Sequence, residues 1–330
     1  MTTRNALALA FLLVASGAAI GVAAARLPLR PAATDAPRQT AAASAAPALP
    51  PIVDGTALVF GQPLSAGCAT DDAVWVVSDG GGVARFADDR WALVDGTLRT
   101  LTAASCGRGE MIAVGPGGRI LVADDRSRTI AADGVGTEDL LGVAALGDGS
   151  AVAVGTRGTV LRRGSGWGAF ATGIEENLRG VALLSPASAW AVGDEGAAYR
   201  LEERGWRALP TGLVPTLRAV AAVSADDALA VGDDGLLLRW RGAWTRLASG
   251  VTTSLRGVAR VGDIAFVTGD AGLALRIDLR TEKVERIDLA TACPVRGVFV
   301  RAGEPWFIAS QGIRAAVWRG GATLQRWGAC

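Results

Sequence analysis

The chain has 330 residues, half of them apolar, with 33 basic against 32 acidic side chains and a net charge of +1. That balance argues against a strongly electrostatic partner such as nucleic acid. It has no histidine, which excludes Ser-His-Asp and Cys-His nucleophile systems and any His-ligated metal.

Residues 1–25 open with the single basic side chain Arg4 and continue through 20 uncharged residues, Ala6–Ala25. A basic start, an apolar run and small residues at its end read as a secretory signal. Twenty apolar residues also span a bilayer, so an uncleaved inner-membrane tether through 6–25 is the other reading. Residues 26–51 are Ala/Pro-rich with few large apolar groups; such a segment buries too little surface to fold and is expected to be a semi-extended linker.

From residue 52 to 330 one pattern recurs. Anchoring on the second glycine of Val231-Gly232-Asp233-Asp234-Gly235 gives Gly81, Gly118, Gly158, Gly196, Gly235, Gly272 and Gly312, spaced by 37, 40, 38, 39, 37 and 40 residues. A period of this size kept through seven units means a stacked or circular repeat array. Each unit holds four short apolar segments split by Gly, Asp, Ser and Pro clusters, too short for helices and right for strands. Four antiparallel strands per period of about 40 residues describe a propeller blade. The expected fold is therefore all-β, a seven-bladed β-propeller over 52–330.

Columns across the units support it. Six residues before the anchor stand Trp75, Ile112, Val152, Trp190, Leu229, Phe266 and Trp306. Four before it stand Val77, Val114, Val154, Val192, Val231, Thr268 and Ile308. This period-2 spacing places both columns on one face of the second strand, the face that packs on the next blade. The first strand carries Gly142, Gly180, Ala219, Gly257 and Gly297, small residues suited to a crowded axis.

Arginine forms two further columns. Arg179, Arg218, Arg256 and Arg296 occupy the second position of the first strand in units four to seven, where units one to three have Ser65, Thr102 and Leu141. In a propeller this position shares a face with the second-to-third hairpins. The crescent is a candidate binding site for an acidic protein segment or an anionic glycan; the competing reading pairs it with the hairpin acids Asp194, Asp233 and Asp270. The second column (Arg85, Arg162, Arg200, Arg239 and Arg276) reads as structural. Tyr199, the sole tyrosine, falls in an apolar column and reads as core rather than as a sialidase-type nucleophile. Hairpin acids suit tight turns, and a calcium loop's ligand spacing is missing. No cofactor, metal site or catalytic set is expected, and the chain reads as a non-enzyme.

Four cysteines in a chain that reads as exported permit disulfides in any of three connectivities. Cys68 and Cys106 hold nearly equivalent places in the first strands of units one and two, while Cys293 and Cys330 close units six and seven. Neighbouring positions favour Cys68–Cys106 with Cys293–Cys330; the alternative is buried free thiols.

The stretch Leu178–Gly196 (LRGV, then WAVGDEG) and its copy Leu217–Gly235 resemble the secreted bacterial propellers with WAVGD-type repeats. These are similar to photosystem II stability/assembly factor-like and BNR-like repeat propellers. The resemblance covers about 56–330 and implies the propeller fold. The assembly-factor group's T-x-D-G-G-x-x-W box is reduced here to its tryptophan, at Trp91, Trp167, Trp206 and Trp244. Arginine-bearing faces used for protein docking occur in that group. The implied function is an extracytoplasmic binding or assembly scaffold, periplasmic, membrane-tethered or secreted. The alternative is a glycan-binding or glycan-hydrolysing propeller of BNR/sialidase type.

Overall fold

The computed structural model describes residues 61–96, 99–124, 130–132, 135–321 and 323–330. The leader, the linker and both of their boundaries lie outside these residues. So does segment 56–60, which the sequence offers as a spare strand. The propeller lies within the unit Leu49–Cys330.

Seven four-stranded sheets follow one another along the chain, each antiparallel and each ordered as its strands occur in sequence. Blade four is typical: Leu178–Ser185, Ser188–Gly193, Ala198–Glu202 and Gly205–Ala208. Every blade is complete in itself. The seventh ends with Gln325–Gly328, paired in antiparallel register to Arg314–Arg319.

Closure is visible in the core. An open row of seven blades has six interfaces, whereas the buried apolar residues fall into seven clusters, each shared by two neighbours. The seventh joins the ends of the ring: Leu64, Val74 and Val76 of blade one pack with Trp306, Ile308 and Val317 of blade seven. Trp306 stacks on Trp327 at 5.5 Å, and Phe86 lies 5.0 Å from Trp327. Buried Ser310 adds a 2.7 Å bond from its hydroxyl to the Leu64 carbonyl. A closed ring leaves no long sheet edge exposed at the seam.

Both second-strand columns are buried, from Trp75 and Val77 at 0% exposure to Phe266 at 8%. The intervening residues are buried too, because each blade is covered on both sides. Near the axis Gly142, Gly180 and Gly257 are required, while Gly297 has open space: a Cβ on Gly180 would stand 2.9 Å from the Ala219 Cα.

The repeated Val-Gly-x-x-Gly hairpin is explained by two constraints acting together. All seven anchor glycines have positive φ, between 58° and 84°. At six of them a Cβ would also press on backbone of the loop leading to the next blade, as at Gly196, where the Leu213 carbonyl would be 2.1 Å away. The hairpin is further tied to the start of its own inner strand. The Asp194 amide donates to Asn177, Asp233 to Thr216, Asp270 to Ser254 and Ser310 to Pro294.

Candidate functional site

That backbone tie determines the site. It holds the residue two before each anchor glycine against the residue two before the inner strand's arginine. In blades four to six the hairpin residue is aspartate, and each arginine forks onto it. Arg179 Nη2 donates to Asp194 at 3.1 Å, Arg218 Nη2 to Asp233 at 3.0 Å and Arg256 Nη2 to Asp270 at 3.0 Å, with each Nε donating to the other carboxylate oxygen. Such bidentate pairs fix the guanidinium plane as well as its position. The Arg179 guanidinium holds the Asp194 carboxyl below the usual carboxylate range, and Arg218 does the same for Asp233.

All four predicted arginines reach the mouth of the central channel, where they line a cavity of about 250 Å³. The other side of the cavity is formed by Ser65, Thr102 and Leu141, with Asp79 beside them. Two of these short side chains turn toward the next blade: Ser65 Oγ donates to the Leu101 carbonyl and Thr102 Oγ1 to the Leu140 carbonyl, both at 2.6 Å. The mouth is thus walled by guanidinium groups on one side and by uncharged side chains with Asp79 on the other.

Both readings of the crescent are therefore partly realised. The arginines converge as a candidate site requires, and three of them already hold a carboxylate. Arg296 does not, because its blade has Ser310 at the hairpin position. Asp79 is the reverse case: it occupies the hairpin position of blade one, where the inner strand offers Ser65. Burial pushes the Asp79 carboxyl above the usual range, and the Arg296 charge only partly offsets it.

The second arginine column is structural, as expected, in varied ways. Arg85 and Arg200 lie over Trp75 and Trp190, Arg162 donates to the Pro186 carbonyl, and Arg276 pairs with Glu285. Arg239 belongs to a buried cross-blade cluster absent from the sequence reading. Asp227 accepts from Arg239 at 3.2 Å and from Arg260 of the next blade at 2.8 Å. These bonds hold its carboxyl at about 2. Tyr199 packs beside the core between blades three and four and donates its hydroxyl to Glu176 at 2.8 Å. Burial and that carboxylate raise its phenol to about 12. The cysteines pair as Cys68–Cys106 and Cys293–Cys330. The first links blades one and two; the second ties the chain end to the loop preceding blade seven.

A second concavity, about 540 Å³, lies at the blade seven–blade one seam on the opposite face, among the first-to-second and third-to-fourth turns. Asp71, Asp72, Asp88 and Asp89 rim it, with Arg319 over Trp306 and paired to Glu304.

No protein-family profile matches the sequence, and no curated protein matches it. Solved structures do match in fold. The WD40 β-propeller domain of Doa1 has 13% identity and a TM-score of 0.68 over 82% of this chain and 96% of that one. YCF48 bound to D1 peptide has 14% identity and a TM-score of 0.64 over 81% and 94%. The WD40 repeats of RRP9 have 10% identity and a TM-score of 0.65 over 79% and 93%. At these identities the likeness is one of fold. The chain is a seven-bladed propeller.

Proposed function

We propose that this protein is a non-enzymatic, extracytoplasmic binding scaffold that receives an anionic segment of a partner protein at the channel mouth. The carrying observation is the convergence of Arg179, Arg218, Arg256 and Arg296 on one cavity whose opposite wall carries no guanidinium group, only Ser65, Thr102 and Leu141 with Asp79 beside them. The three ion pairs do not close the site. Their arginine side chains are 27–35% exposed, which leaves guanidinium surface that an incoming carboxylate can reach. The arginine fork matches planar anions.

The resemblance to secreted WAVGD-repeat propellers and the two disulfides support an oxidising, extracytoplasmic location. A protein ligand is favoured over an anionic glycan because a propeller of the same fold, YCF48, is known with a bound peptide. The test is fluorescence anisotropy of the full chain with a labelled, C-terminally amidated Glu-rich peptide. Its all-Gln counterpart and an oligogalacturonate serve as comparators. The proposal expects saturable binding of the Glu peptide that weakens with salt and is absent for the Gln peptide. Equal binding of both peptides, or preference for the oligogalacturonate, overturns it.

A further inference from the structure

Three of the four mouth arginines carry a carboxylate from their own blade, and the fourth occupies the same station without one. The equivalence is structural. Val295–Arg296–Gly297 repeats the start of the other inner strands, and the Ser310 amide makes the same tie, 3.2 Å to Pro294, that aligns Asp194, Asp233 and Asp270 in their blades. Only the side chain differs. Ser310 is fully buried and gives its hydroxyl to Leu64 across the seam, so it turns away from Arg296. The consequence is a buried Arg296 Nε with no hydrogen-bond partner. An unpaired buried donor on a charged group is costly to retain, and it marks where an acceptor is missing. Asp79 does not supply it: Arg296 influences its charge, but no ion pair forms between them.

We infer that Arg296 is the anchor of the proposed site, taking a single guest carboxylate in the place that aspartate fills in blades four to six. This rests on the reading that the channel mouth binds an anionic partner. The occupied stations show what the vacant one accepts: a planar group with two oxygens, lying against the Nε–Nη2 edge. The cavity, at about 250 Å³, admits a side chain or a chain end and no folded element. The ligand chemistry is therefore one carboxylate, from an Asp or Glu side chain or from a polypeptide C-terminus. Arg179, Arg218 and Arg256 remain tied to the aspartates of their own blades.

The inference is tested with the full chain and two labelled peptides, one with Glu side chains and an amidated end, the other with neutral side chains and a free C-terminus. The peptide that binds identifies the source of the carboxylate. Arg296→Gln is expected to weaken that peptide roughly tenfold to a hundredfold, the range of a lost charged hydrogen bond. Arg296→Lys, which keeps charge but loses the planar fork, should rescue little. Arg218→Gln should weaken binding only a few fold. Ser310→Asp should fill the station from within and block binding, while giving up the seam bond to Leu64. If Ser310→Asp fails to fold, the Arg296 variants decide the matter alone. Unchanged binding in Arg296→Gln, alongside loss in an Arg218→Gln/Arg256→Gln variant, overturns the anchor and leaves the mouth reading standing. Absence of binding by either peptide to the parent overturns both.

Discussion

Replacing Asp227 with asparagine removes the carboxylate that joins blade five to blade six while keeping its shape. Two guanidinium groups converge on it, and both arginine side chains are only 4% exposed. Each has one further acceptor: Arg239 donates to the Leu279 carbonyl at 2.7 Å and Arg260 to the Gly262 carbonyl at 2.8 Å. Those carbonyls cannot offset two buried positive charges. Breaking a buried ion pair costs about 3–5 kcal/mol, and partial exposure of Asp227, at 19%, puts this case near the lower end. The depressed carboxyl reports the same contacts. A carboxyl at about 2 in the fold against an ordinary 3.8 corresponds to about 2 kcal/mol of linked stability. Because the folded value is depressed, that stability is fully present above about pH 4 and is lost as pH falls toward 2. Asp227→Asn should therefore lower the melting temperature at pH 7 by about 5–10 °C for a domain of this size. It should also flatten the acid limb of the stability curve between pH 4 and 2. Calorimetric melting of parent and variant across that range is the assay. A variant melting within 1–2 °C (~0.5 kcal/mol) of the parent at pH 7 would refute the reasoning.

Other perturbations probe the hairpin, the seam and the thiols. Gly196→Ala puts a Cβ 2.1 Å from the Leu213 carbonyl at a φ of 66°; a backbone shift is unavoidable. Its cost should clearly exceed that of Gly312→Ala, where φ is 58° but nothing lies within 4 Å and the expected cost is about 1 kcal/mol. Equal urea midpoints for the two variants would contradict the crowding argument. Trp306→Ala empties the centre of the closing interface and should cost about 3–5 kcal/mol in urea unfolding; a loss below 1 kcal/mol would mean the seam contributes little. Non-reducing peptide mapping should recover Cys68–Cys106 and Cys293–Cys330. Removing either pair should cost roughly 2–4 kcal/mol, and a Cys68–Cys330 peptide would overturn the pairing.

The fold was legible because its signal repeats. One such hairpin is ambiguous, but seven anchor glycines at a near-constant spacing, four of them in a full Val-Gly-x-x-Gly, carry the period, and the small residues at Gly142, Gly180 and Gly257 carry the crowded axis. Ring closure was less legible. It rests on Trp306, Trp327 and Phe86 meeting between the two ends of the array, and nothing local to either segment announces that contact. The arginine crescent was visible as a column, and its alternative, pairing with Asp194, Asp233 and Asp270, was visible at a fixed offset. Less legible was the pair of exceptions, Ser310 at the hairpin station of the Arg296 blade and Asp79 at that of the Ser65 blade. Aligning the acid column against the arginine column blade by blade contains that signal. The Asp227–Arg239–Arg260 cluster had no such signature, since it joins residues 33 positions apart across a blade boundary. Tyr199 shows the limit of column reading: it packs beside the core as expected, yet its hydroxyl serves Glu176, a loop residue outside any column.

Hydrogen exchange of the full chain with and without the Glu-rich peptide tests the central claim most directly. Ligand-dependent protection should fall on the starts of the inner strands around Arg179, Arg218, Arg256 and Arg296, and on the hairpins carrying Asp194, Asp233, Asp270 and Ser310. Protection confined to the opposite face, at the turns bearing Asp71, Asp88 and Arg301, would contradict the account.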